Sequence, residues 1–176
     1  EVLGCDVGDS EDETFWTRFL RSLKDRGLSG VRLVISDAHA GLKAAIRKNF
    51  QGSSWQRCRV HFARNLMGVV PKADQEMVYA AFRSIFALTD PVVLAARYDE
   101  VTDTLAARIP KAAALLADAR TDVLAFRVFP KTHWRKIWSN NPLERLNKEI
   151  KRRTNVVGIF PNDAAVTRLI GAVLAD

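Results

Sequence analysis

Asp37 stands at the carboxyl end of Val31-Arg32-Leu33-Val34-Ile35, the best strand candidate in the chain, where open α/β sheets place ligand-binding and catalytic groups. The same position suits an N-cap for a following helix. Glu144 falls in the first turn of another predicted helix, where the helix dipole favours a carboxylate whatever its role. Glu144, Lys148 and Lys151 recur at i, i+4 and i+7, so one carboxylate and two ammonium groups share one helix edge. Carboxylates that hold Mg²⁺ beside cations that hold phosphates are the parts of two-metal phosphoryl transfer on nucleic acid. Cys58 and His61 add a thiol and an imidazole three positions apart. No second pair stands at zinc-finger spacing, so the indication of zinc is weak; a buried thiol with a hydrogen-bonded imidazole is the plain structural alternative to a place beside the site.

The charge distribution agrees with a polyanionic partner. Of 176 residues, 27 are Lys or Arg and 20 are Asp or Glu. Between Arg127 and Arg153 lie nine basic and two acidic residues, so this segment holds the whole excess of +7 and the remainder is neutral. A neutral body with one basic segment points to nucleic acid, because phosphate neutralisation rewards clustered Lys and Arg most. Trp134 and Trp138, at i and i+4 inside that segment, suit base stacking, although the spacing is commoner in cores. Hydrophobic residues reach 48% and no apolar run approaches the roughly 20 residues of a membrane span, which implies a soluble globular protein. The two cysteines make no disulfide framework and no signal peptide opens the chain, which implies a reducing, intracellular setting. Glu1 at the start and an apolar periodic segment running to Asp176 give both ends the look of cuts in a longer polypeptide.

These residues need elements to hold them. Glu1 to Val7 reads as a strand closed by Gly8, and Ser10-Glu11-Asp12-Glu13 as a capping box before a helix bearing Phe15, Phe19, Leu20 and Leu23. After Gly27 and Gly30 come the strand ending at Asp37, a helix from Gly41 to Phe50, a short strand from Ser54 to Arg59 and an amphipathic stretch from Val60 to Val70. This alternation favours parallel pairing. From Pro71 to Phe129 three helical segments are broken at Pro91 and Pro110, with a buried face expected at Met77, Tyr79, Phe82 and Phe86, then at Leu94, Tyr98, Val101 and Leu105. Asn141-Pro142 then caps a helix to Arg153 with Leu143, Leu146 and Ile150 as its buried stripe. Asn162 or Asp163 caps a last helix.

Three segments carry a family resemblance. Asn141-Pro142-Leu143-Glu144-Arg145-Leu146-Asn147-Lys148-Glu149-Ile150-Lys151-Arg152-Arg153-Thr154, continued by Val156 to Pro161, resembles the signature of mutator-type transposases of bacterial insertion sequences. Val34 to Leu42 is similar to that family's second-aspartate motif, and Trp55 to Asn65 to its Cys-x-x-His segment. The resemblance implies a ribonuclease H-like α/β fold, incomplete because its first strands are missing, with an all-helical insertion. It implies a partial core with the second catalytic Asp at 1–70, the insertion at 71–129, and basic helices with the catalytic Glu at 130–176. Asp37 and Glu144 would then be catalytic residues binding Mg²⁺ or Mn²⁺. Lys148, Lys151, Arg152, Arg153 and Arg145 would contact DNA, and Cys58 and His61 would accompany the site. Asp6 is the one carboxylate on an early predicted strand, and strand order argues against it as the first catalytic Asp. The expected activity is metal-dependent cleavage and strand transfer at insertion-sequence ends, in a cytoplasmic, nucleoid-associated homodimer or higher oligomer. The competing expectation is a catalytically dead remnant that binds DNA or an intact subunit, and a ribonuclease H-like nuclease that cuts without joining comes third.

Overall fold

A computed structural model describes residues 1–175 apart from Asp9 and Glu11. Along the chain come α1 (Glu13–Asp25), β1 (Leu33–Ser36), α2 (Ala40–Asn49), β2 (Ser54–Arg57), α3 (Arg59–Val69), α4 (Gln75–Ile85), α5 (Pro91–Ala106), α6 (Pro110–Val123), α7 (Trp134–Ile137), α8 (Asn141–Val157) and α9 (Asp163–Ala175). The chain is mixed α/β and mostly helical, and among the described residues its sheet is one parallel pair. It forms two compact units: Glu1–Arg32 with His39–Ser53 and Asn140–Asp176, and Leu33–Ala38 with Ser54–Ser139.

In the second unit β1 and β2 pair from Leu33 opposite Ser54 to Ser36 opposite Arg57. Trp55 Nε1 donates to Ser36 Oγ at 2.8 Å, tying the strands through side chains as well. Gln56, in the middle of β2, is wholly buried. Its Nε2 donates to the carbonyls of Val123 and Arg57, both at 2.8 Å, and its Oε1 accepts from Phe126 N at 2.8 Å. A buried amide needs such partners, and here they fasten β2 to the end of α6 and the 3-10 turn after it.

One apolar core fills the rest of this unit, with Phe62 and Leu66 from α3, Leu94, Tyr98 and Leu105 from α5, and Leu116 from α6 all buried. Tyr98 keeps its hydroxyl satisfied by donating to Leu116 O at 2.8 Å. Pro91 and Pro110 open α5 and α6 as expected, where the missing N–H leaves no bond unmade. The buried face of α4 is Val78, Phe82 and Ile85. Met77 and Tyr79 are 42% and 45% exposed, contrary to expectation, although Phe86 just beyond the helix is buried as expected. A 3-10 turn at Lys72–Asp74 precedes α4, and the stripe at i, i+4 and i+7 falls on residue 78 rather than 77 or 79.

In the first unit α1 packs on α2, burying Leu20 and Leu23 on one helix and Ala45 and Ile46 on the other. The expected strand at Glu1 to Val7 is irregular backbone instead. It lies on α1: Arg26 donates to the Leu3 carbonyl, Arg18 meets Asp6 at 3.6 Å, and a Cβ on Gly8 would stand 2.4 Å from the Phe15 ring. Glycines at 4 and 8 and the lack of a neighbouring strand among the described residues account for the difference. The N-cap of α1 is Asp12, which accepts from Phe15 N at 2.8 Å, rather than Ser10; Glu11 of the expected box lies outside the described residues.

The last two helices also belong to this unit. Asn140 rather than Asn141 takes the N-cap of α8, with Pro142 in the first turn, and the helix runs a turn beyond Arg153 to stop at Gly158, whose φ of +78° suits glycine. The expected buried stripe is only partly covered: no residue of α8 is fully buried, Leu146 and Ile150 are half-buried and Leu143 is 50% exposed. Asn162 Oδ1 accepts from Ala165 N at 3.0 Å, as an N-cap of α9 should, and Ile170 and Val173 of α9 are buried.

Replacing Gln56 by Leu keeps the volume and strands the Val123 carbonyl and the Phe126 N–H in the core. The expected loss is about 3 kcal/mol of folding stability, read as a lower urea midpoint at unchanged m.

Candidate functional site

The register of β1 and β2 builds one end of the site. Ser36 pairs with Arg57, so Asp37 and Cys58 leave the carboxyl ends of adjacent parallel strands. Cys58 N donates to Ser36 O at 2.7 Å, carrying the ladder one step past β2 and starting α3 at once. His61 therefore lies in the first turn of α3, at the same sheet end as Asp37 and Cys58. Cys58 is a buried free thiol, whereas Asp37 and His61 are half-buried. The N-cap of α2 is His39, whose side chain makes no capping bond, so Asp37 is not the helix cap its position also suited.

Arg57 is the residue at this sheet end that sequence reasoning passed over. Burial pushes its guanidinium below the ordinary arginine value, against the opposing attraction of Asp122, Tyr98 and Asp37. The guanidinium lies 4.7 Å from the centroid of the Phe62 ring. The signal was available in Arg57-Cys58-Arg59, where two cations flank the thiol.

The second group of expected residues lies on α8 in the first unit. Glu144 is in its first turn and half-buried; Arg145, Lys148, Lys151 and Arg152 are exposed, and Arg153 is half-buried. Glu149 accepts from Arg152 at 2.7 and 3.0 Å and from Arg153 at 3.0 Å. Its partners thus lie three and four residues on along the helix. These hydrogen bonds, Arg152 first, pull the Glu149 carboxyl down to about 2. Glu149 is thus engaged in holding cations.

The expected tryptophan pair divides. Trp134 is buried, donates its Nε1 to Phe129 O at 2.8 Å and stands edge-on to Phe126 at 5.1 Å, which is a core role. Trp138 is only half-buried, and its carbonyl accepts from Arg59 N at 2.9 Å, closing an N–H that the start of α3 leaves open.

The chain belongs to the Mutator family of transposases, which it matches over residues 1–176. It is similar to the transposase for insertion sequence element IS1081 of Mycobacterium tuberculosis, at 53% identity over 100% of this chain and 42% of that protein. It is also similar to the transposase for insertion sequence element IS256 in transposon Tn4001 of Staphylococcus aureus, at 42% identity over 100% of this chain and 45% of that protein. The transposase for insertion sequence element IS406 of Burkholderia multivorans is 39% identical over 99% of this chain and 45% of its own length. The chain thus spans less than half the length of these relatives. Among the described residues no helix is long and apolar enough to cross a membrane.

The Glu149 cluster yields a pH prediction. Its folded pKa of about 2 lies below the ordinary 4.5, so its contribution to α8 is full above about 4.5 and is lost as pH falls through about 2. A carbon-detected NMR titration of the Glu149 carboxyl should give a midpoint near 2; a midpoint near 4.5 would show that the two arginines do not hold it in solution.

Proposed function

We propose that the chain is part of the catalytic region of a DNA transposase that cleaves and joins phosphodiesters at insertion-sequence ends, with divalent metal. The observation that carries this reading is α8: a 17-residue helix that buries none of its residues, opens on Glu144 and presents Arg145, Lys148, Lys151 and Arg152 to solvent. A helix that buries no residue fully and carries five cations against two carboxylates is suited to a polyanion. The family membership supports the same assignment.

In this reading β1 and β2 belong to a ribonuclease H-like sheet within 1–70, residues 71–129 form the helical insertion, and 130–176 bring the basic helices. Asp37 and Glu144 are the metal-binding carboxylates. Their donor chemistry fits: carboxylate oxygens are hard ligands that suit Mg²⁺ or Mn²⁺. A divalent metal bound by these carboxylates would supply Lewis-acid polarisation of a phosphate and a more acidic bound water. Lys148, Lys151 and Arg145 grip backbone phosphates and fix the strand in register for in-line attack. Glu149 holds Arg152 and Arg153 in a fixed array, which lowers the entropy lost when they meet phosphate. Cys58 and His61 position the strand end that carries Asp37. We place the protein in the cytoplasm with the nucleoid, acting on insertion-sequence ends and target DNA as a homodimer or larger assembly.

Glu144→Gln removes the charge and keeps the shape. Metal-dependent nicking of a plasmid bearing the insertion-sequence ends should fall by more than about 100-fold, while duplex binding stays within about twofold. Equal nicking by the variant removes Glu144 from the site, and salt-sensitive binding without nicking by the native protein favours the inactive remnant. Lys151→Ala should weaken binding to unrelated duplexes by one common factor and reduce the salt slope by about 1; a loss confined to one sequence would mean that it reads bases.

A further inference from the structure

We infer that a pocket between α3, α4 and the end of α7 takes a single unstacked nucleotide of a DNA strand, base and phosphate together. The pocket lies wholly in the second unit and encloses about 700 Å³, within the range of small-ligand sites. Four arginines line it, Arg59, Arg64, Arg83 and Arg135, and none of the described lining residues is acidic. That composition selects an anion. Its other walls are flat and apolar: Phe82 and Phe86 are buried beneath it, and Tyr79 stands 45% exposed at its edge. That composition selects a planar ring. A nucleotide carries both, and aromatic stacking beside guanidinium groups is how proteins hold unpaired bases without reading their sequence.

Two details separate this pocket from a merely basic surface. The Arg59 guanidinium lies 3.8 Å from the Trp138 ring centroid and 4.7 Å from that of Phe86, while its backbone N–H is bound to the Trp138 carbonyl. The cation is thereby held in place by rings, an arrangement that leaves its charge available to a phosphate. Tyr79 and Arg83 lie one helical turn apart on the exposed flank of α4 beside its core stripe, with the Arg83 guanidinium 5.8 Å from the Tyr79 ring centroid. A base paired and stacked inside a duplex cannot enter the pocket to lie against Tyr79, so the ligand is a nucleotide in a single strand or one turned out of a duplex.

The inference rests on the DNA-transposase reading, and the experiment separates their failures. Fluorescein-labelled dT 12-mer, an abasic 12-mer of equal charge and a blunt duplex are titrated by anisotropy against the native chain, Tyr79→Ala, Tyr79→Phe, Arg83→Ala and Lys151→Ala. The native chain should bind the dT 12-mer about 10-fold more tightly than the abasic strand, the range expected for one stacked base. Tyr79→Ala should abolish that preference, Tyr79→Phe should restore it, and Arg83→Ala should weaken dT binding with little effect on the duplex. Lys151→Ala should weaken all three ligands alike. Both alanine positions in the pocket are exposed, so folding is retained. Duplex binding without a preference for bases over abasic sites overturns the nucleotide pocket alone, as does a preference that survives both Tyr79→Ala and Arg83→Ala. Failure of the native chain to bind any of the three at low salt overturns the DNA reading and the pocket with it.

Discussion

A side-chain amide in the middle of a buried strand must find a partner for its donors and its acceptor, or the strand does not stay buried. Gln56 meets that demand with backbone groups of Arg57, Val123 and Phe126, so the place of β2 is dictated by where α6 ends and the next turn begins. Once β2 is placed, its register with β1 sets Ser36 against Arg57. The Cys58 N–H then reaches the Ser36 carbonyl, and α3 starts without an intervening loop. Asp37, Cys58 and His61 come to one sheet end as a consequence of that chain of bonds. The apolar core would tolerate exchanges of similar volume. The amide network does not.

The helix α8 is held in the opposite way. With no buried residue, it depends on local devices: Pro142 in its first turn, the Glu149 bonds to Arg152 and Arg153, and a glycine at positive φ where it stops. None of these devices fixes a side chain as firmly as core packing does.

What was legible in the sequence follows the same division. The strand before Asp37, the parallel pairing, the proline-started helices and the face of α5 all rest on local rules, and those rules hold here. The failures lie where tertiary neighbours decide. Glu1 to Val7 has strand-like residues and no strand beside it, and its glycines pack on α1 instead. The stripe of Leu143, Leu146 and Ile150 is amphipathic, yet amphipathicity alone does not say whether an apolar face is covered. On α4 a one-residue change of face turned Tyr79 outward, and with it a pocket-lining ring that had looked like core. Of the candidate site, the residue types and their strand or helix positions were readable. The part played by Arg57 and the split between Trp134 and Trp138 were not, because both depend on packing between segments distant in sequence.

Arg57 and Arg59 show why the residue type matters at such places. They flank Cys58, and burial lowers both guanidinium groups from their ordinary value. Each lies against aromatic rings, Phe62 for the first and Phe86 with Trp138 for the second. Arginine begins so far above neutral pH that it stays charged despite the loss of water, and its flat, weakly hydrated group suits a ring face. A lysine starts closer to neutrality, and its compact ammonium loses more on leaving water and stacks less well. Two cations can therefore remain at the edge of a core, one at the sheet end that bears Asp37 and one at the pocket under Tyr79, only because both are arginines.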